Sequence, residues 1–127
     1  MNWIIFAVIV LIILTMVKRM MPMKGVGHIT ADELQGKMKK DKRAHFIDVR
    51  EPNEFSAGHI KGMENVPLSR FKSAASGLPK DKEIVVICQS GNRSVAASNK
   101  LKKAGFGEVT NVRGGMSAWS GQVKRGS

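Results

Sequence analysis

At 127 residues the chain has room for one domain of ordinary size and little else. Its single cysteine excludes an internal disulfide, and 21 Lys/Arg against 10 Asp/Glu leave a net charge of +11. After Phe6 the only aromatics are four Phe and Trp119, too few to interleave a stacking platform with the basic residues, so the charge does not point to nucleic acid.

Residues 1–17 carry no charge, and 4–14 are unbroken apolar sequence. A transmembrane helix needs about 17–25 apolar residues, so this segment sits at the lower edge, with 20–23 extending it if Lys18 and Arg19 snorkel. A secretory signal would put positive charge before the apolar run and a small-residue cleavage site after it; here the charge follows, and 18–22 offer no such site. A buried core helix would show a polar face, which is missing. The expected organisation is a transmembrane helix over 1–17, a basic linker over 18–25 and one folded domain over 26–127. Lys18, Arg19 and Lys24 place that domain on the cytoplasmic side of the cell membrane, a compartment that keeps a lone thiol reduced. The Lys/Arg clusters at 37–43, 100–103 and 124–125 suit a surface near an anionic leaflet.

Further along, 25–29 read as extended. Thr30-Ala31-Asp32-Glu33 is a capping box, opening a helix over 31–40 that buries Leu34 and Met38. Residues 44–49 form a strand ending at Arg50-Glu51-Pro52, and 54–58 a short helical turn. Val66-Pro67-Leu68 reads as a loop, after which Ser69 caps a modest helix to about residue 76. The β-branched run 84–87 shows no alternation, as in a strand buried on both faces. A helix over 94–104 stops at Gly105, with Val95, Ala97, Leu101 and Ala104 inward. A strand over 109–112 then turns through Arg113-Gly114-Gly115 into a last helix reaching Trp119. Strands alternating with helices predict a parallel α/β sheet.

Functional residues in such sheets collect at the carboxyl ends of strands, where Cys88 stands. Gln89-Ser90-Gly91-Asn92-Arg93 and a helix follow it. Unpaired loop amides and the positive helix end favour thiolate over thiol. Gly91 lets the loop curl with positive φ, and Arg93 adds charge to attract an anionic substrate. Cys88 is therefore the candidate nucleophile, with Gln89, Ser90, Gly91, Asn92 and Arg93 as substrate-binding residues.

Three stretches resemble the single-domain rhodaneses and together span most of 26–120. They are Asp48-Val49-Arg50-Glu51-Pro52 through Glu54-Phe55, Gly58-His59-Ile60, Gly62 and Asn65-Val66-Pro67-Leu68; then Cys88-Gln89-Ser90-Gly91-Asn92-Arg93-Ser94; then Val112-Arg113-Gly114-Gly115-Met116 with Trp119. Met63 departs from the pattern, standing where a small residue is usual, and the apolar segment lies outside it. The resemblance implies a three-layer α/β/α fold around a parallel sheet of about five strands. It also implies a monomeric sulfurtransferase: Cys88 takes a sulfane sulfur from a donor such as thiosulfate, holds it as a persulfide, and yields it to cyanide or a thiol. The partners implied are a small or protein-bound sulfur donor and a thiol acceptor, with no metal or organic cofactor.

The remaining candidates read as structural. Asp48 and Arg50 are expected to pair beneath the loop, and His59 to pack. His28 and His45 lack metal-ligand spacing, and Gly25-x-Gly27 lacks the third glycine of a dinucleotide loop. A cysteine phosphatase or arsenate reductase of the same fold would need five residues between Cys and Arg; here Arg93 comes one early. A non-catalytic membrane scaffold would have no use for an intact cysteine loop.

Overall fold

A computed structural model describes residues 2–20 and 24–127. The elements are α1 (Asn2–Met20), β1 (Val26–Ile29), α2 (Ala31–Lys40), β2 (His45–Asp48), α3 (Pro52–Ala57), β3 (Glu64–Asn65), α4 (Phe71–Ala74), β4 (Ile84–Ile87), α5 (Asn92–Lys103) and β5 (Val109–Val112). Short 3-10 turns cover Leu68–Arg70 and Gly115–Ala118. All strand pairs are parallel, in the order β1-β5-β4-β2-β3. The parallel sheet is the one the alternating pattern predicts, and its five strands are the number the family resemblance implies.

β4 is central and buried along its whole length. Ile84, Val86 and Cys88 point to one face, against Phe71, Leu78, Ala97, Leu101 and Phe106. Val85 and Ile87 point to the other, against Leu34, Phe55, Ile60 and Met63. The two-sided burial makes three layers and explains why the run carries no polar alternation. Met63, the departure from the family pattern, fills part of this second core.

α2 begins at its capping box: Thr30 Oγ1 accepts from the Glu33 amide at 3.1 Å, and the Thr30 amide donates back to Glu33 at 3.1 Å. α5 differs from expectation. It starts at Asn92, with Gly91 as N-cap at φ 103°, and buries Ser94, Ala97, Ser98 and Leu101. Val95 is half-buried and Ala104 exposed. The two inward serines satisfy themselves, Ser98 Oγ donating to the Ser94 carbonyl at 2.6 Å and Ser94 Oγ to that of Gly91 at 3.0 Å. Ser69 caps no helix; its hydroxyl donates to Glu51.

The N-terminal segment is helical through Met20, so the first part of the expected linker belongs to α1; 21–23 lie outside the described residues. Among the described residues no helix is long and apolar enough to cross a membrane. The uncharged part of α1 spans about 24 Å at 1.5 Å per residue, short of the ~30 Å hydrocarbon core. The transmembrane span expected over 1–17 is thus not supported. Thirteen large apolar side chains of α1, from Trp3 to Val17, nevertheless lie exposed.

Candidate active site

Cys88 follows directly on β4, at the carboxyl end of the sheet. Gly91 bends the chain back toward it, and the Gly91 amide donates to Cys88 Sγ at 3.0 Å. Sγ in turn donates to Ser94 Oγ at 3.3 Å. Thiol, loop amide and first-turn hydroxyl thus close a small ring, and the cysteine is fully buried within it. Gln89, Ser90 and Asn92 lie exposed above.

The first carbonyls of the loop are engaged from outside. The Met116 amide donates to the Cys88 carbonyl at 2.8 Å, and the Ser117 amide and hydroxyl both donate to that of Gln89 at 2.9 Å. Gln89 Nε2 also meets Ser117 Oγ at 3.3 Å. Such close contact needs Gly115, where an added Cβ would stand 2.1 Å from the Cys88 carbonyl oxygen. With carbonyls held outward, and with the first turn of α5 supplying amides that have no helical partner, negative charge on the sulfur meets donors and a positive dipole end.

Arg93 is turned to Glu54 in a bidentate pair, at 2.6 and 2.9 Å. Hydrogen bonding to Arg93 drives the Glu54 carboxyl down to about 2, and the same contact raises the Arg93 guanidinium. The charge expected to attract an anion is therefore matched by a carboxylate. Beneath the loop, Arg50 binds the fully buried Asp48 through Nε and Nη2 at 2.9–3.1 Å. It also reaches the Gly58 carbonyl at 2.7 Å and Gln89 Oε1 at 3.3 Å, so the pair is structural and supports the loop as well. His59 bonds the Phe55 carbonyl at 2.8 Å and stacks on the Phe55 ring at 3.7 Å, a packing role. Among the described residues no cluster of His, Cys, Asp and Glu could hold a metal ion.

Sequence reasoning missed a cleft of about 310 Å³ beside the loop, lined by His28, Asn111 and Arg113 opposite Ser90 and Asn92. Only the position of Arg113 before Gly114-Gly115 hinted at it. Burial holds the His28 imidazole below its ordinary range, and the charge of Arg113 adds to this.

A family model described as "Rhodanese-like domain" matches residues 30–122. The uncharacterized protein YqhL of Bacillus subtilis is 43% identical over 65% of this chain and 66% of its own length; the chain thus spans just under two thirds of that relative. The putative sulfurtransferase YtwF of the same organism is 37% identical over 78% of this chain and 95% of its own. The crystal structure of a rhodanese-like domain protein from Staphylococcus aureus superposes with a TM-score of 0.73 at 29% identity, covering 80% of this chain and all of that one.

Proposed function

The chain belongs to the rhodanese-like domain family, and from that premise we propose that it is a sulfurtransferase carrying a sulfane sulfur on Cys88. The observation that supports this most directly is the Gly91 amide on Sγ, in a loop whose first carbonyls are tied outward. A scaffold would gain nothing from that arrangement. In the first half-reaction the Cys88 thiolate attacks the outer sulfur of a donor such as thiosulfate, and sulfite leaves with the electron pair of the broken S–S bond. In the second, a thiophile such as cyanide or a thiol takes that sulfur, and Cys88 departs as thiolate. Because Cys88 is fully buried, the loop must part or the side chain swing outward before a donor can meet it.

The reading extends to location. A helix with thirteen exposed apolar side chains and no polar face is not a stable surface in water. α1 inserts in the cell membrane, its short span met by snorkelling of Lys18 and by local thinning of the bilayer. The basic residues that follow keep the domain on the cytoplasmic side.

The test is mass spectrometry of the intact protein after thiosulfate. The expected product is heavier by one sulfur atom, and cyanide should remove that atom as thiocyanate. Cys88→Ser should abolish both steps. A chain that no donor loads, but that hydrolyses an aryl phosphate through Cys88, would be a phosphatase instead.

A further inference from the structure

A second cleft, of about 390 Å³, lies between α4 and the last turns of α5, away from the thiol loop. Its floor is apolar: Phe71, Ala75, Leu101 and Phe106 are core residues that show only their edges here. Its rim carries Lys72, Lys80 and Lys100, all exposed. Among the described residues none of these lysines has a hydrogen bond or ion pair, and Lys80 meets only the Phe106 ring, at 5.8 Å from its centroid. Among the described residues no carboxylate lines the cleft; Asp41, Asp81, Glu83 and Glu108, at the same end of the sheet, line a different hollow. Unpaired positive charge over an apolar floor complements a molecule that joins an anionic group to hydrocarbon.

The fold also says where such a molecule comes from. α1 meets the domain at α5. The chain that follows it passes so close that a Cβ on Gly25 would lie 3.1 Å from Lys102 Cε. Lys100, Leu101 and Ala104 of the cleft lie within two residues of Lys102 on the same helix end. The thirteen exposed apolar side chains of α1 and the lysine-rimmed cleft thus belong to one end of the molecule.

We propose that this cleft binds one anionic phospholipid of the leaflet that α1 enters, an inference that rests on the reading of α1 as a membrane helix. The phosphodiester lies among the ammonium groups of Lys72, Lys80 and Lys100, which recognise it as charge rather than through a bidentate fork. The first part of an acyl chain covers Phe71 and Phe106. Inorganic phosphate would leave that apolar floor bare, and a zwitterionic lipid would bring its own cation to the lysines.

Full-length chain is placed in phosphatidylcholine nanodiscs with or without phosphatidylglycerol, and lysine acetylation is followed residue by residue by mass spectrometry. Phosphatidylglycerol should slow Lys72, Lys80 and Lys100 about fivefold each, and Lys39 and Lys40, at the same end but outside the cleft, much less. Equal slowing of both sets would reduce the effect to the diffuse field of the leaflet and overturn the site. Glycerol phosphate added to phosphatidylcholine discs should protect none of them; protection by it would make the occupant a free phosphate and overturn the lipid. A second measurement is native mass spectrometry from non-ionic detergent. There the triple variant Lys72→Gln, Lys80→Gln, Lys100→Gln should retain phosphatidylglycerol about tenfold less than the parent. The charge-matched triple Lys39→Gln, Lys40→Gln, Lys103→Gln should retain it nearly as well as the parent, and equal loss in the two triples overturns the site. A chain that stays out of phosphatidylcholine discs overturns the insertion of α1, and the detergent measurement then decides the cleft alone.

Discussion

Glu54 carries an interaction whose pH dependence can be worked out. Its carboxyl is held at about 2 by the two bonds from Arg93, against the opposing cost of burial. A folded value below the unfolded one means the stabilisation is fully present above about pH 4.5 and fades as pH falls toward 2. Both side chains remain about one third exposed, so solvent screening limits the pair to about 1 kcal/mol. Glu54→Gln should therefore lose about 1 kcal/mol at pH 7 in urea denaturation. That deficit against the parent should close between pH 4.5 and 2. In a double-mutant cycle, Arg93→Ala should cost little more on top of Glu54→Gln. Full additivity would mean the pair contributes nothing and that Arg93 is free for substrate after all.

At the scale of elements, the thiol loop depends on the turn Gly115–Ala118 that grips its carbonyls. Gly115→Ala would drive a Cβ into the Cys88 carbonyl at a residue whose φ is already 53°. Overpacking of this kind should cost about 2 kcal/mol or more, with sulfur loading slowed in parallel. A variant of parental stability and loading rate would show the contact to be soft. The loop itself was legible in the sequence because its parts are consecutive: strand end, cysteine, glycine, helix start. So was α2, whose capping box is spelled by four neighbouring residues. The grip was not, since Ser117 lies far along the chain from Gln89 and nothing local couples them. β3 escaped for a related reason. Two residues long, it exists through pairing with Ile47 and Asp48 and through the Asn65 side chain, which donates to the Asp48 and Arg50 carbonyls at 3.0 and 2.9 Å. On the inner face of α5, Ala97 and Leu101 were read correctly, but Ser94 and Ser98 were missed because they satisfy their hydroxyls on carbonyls of their own chain, so polarity gave no sign of burial.

For the whole molecule, the parallel sheet sets direction. The chain leaves α1 and enters at the amino end of β1, whereas Cys88 lies at the carboxyl end of β4. α2 and α5, running back, finish at the amino end in Lys37, Lys39 and Lys40 and in Lys100, Lys102 and Lys103. Under the proposed insertion of α1, the domain would turn its basic end to an anionic leaflet and its thiol to the water. Full-length protein should sediment with membranes and stay there in high salt, while a chain starting at Lys24 should remain in the supernatant, folded. Release by salt alone would show that only the basic end holds it. The place of β5 has a separate consequence, for the order in which the protein is made. Among the described residues β1 pairs only with β5, and the first carbonyls of the thiol loop are held by residues just after β5. On the ribosome the first strand must therefore wait for the last. At roughly 5–20 residues per second, the nascent thiol emerges ahead of the turn that secures its loop by a matter of roughly 1 to 6 seconds. Over that interval it is an ordinary unprotected cysteine, open to any oxidant or metal in reach, and it becomes a site only once that turn has formed.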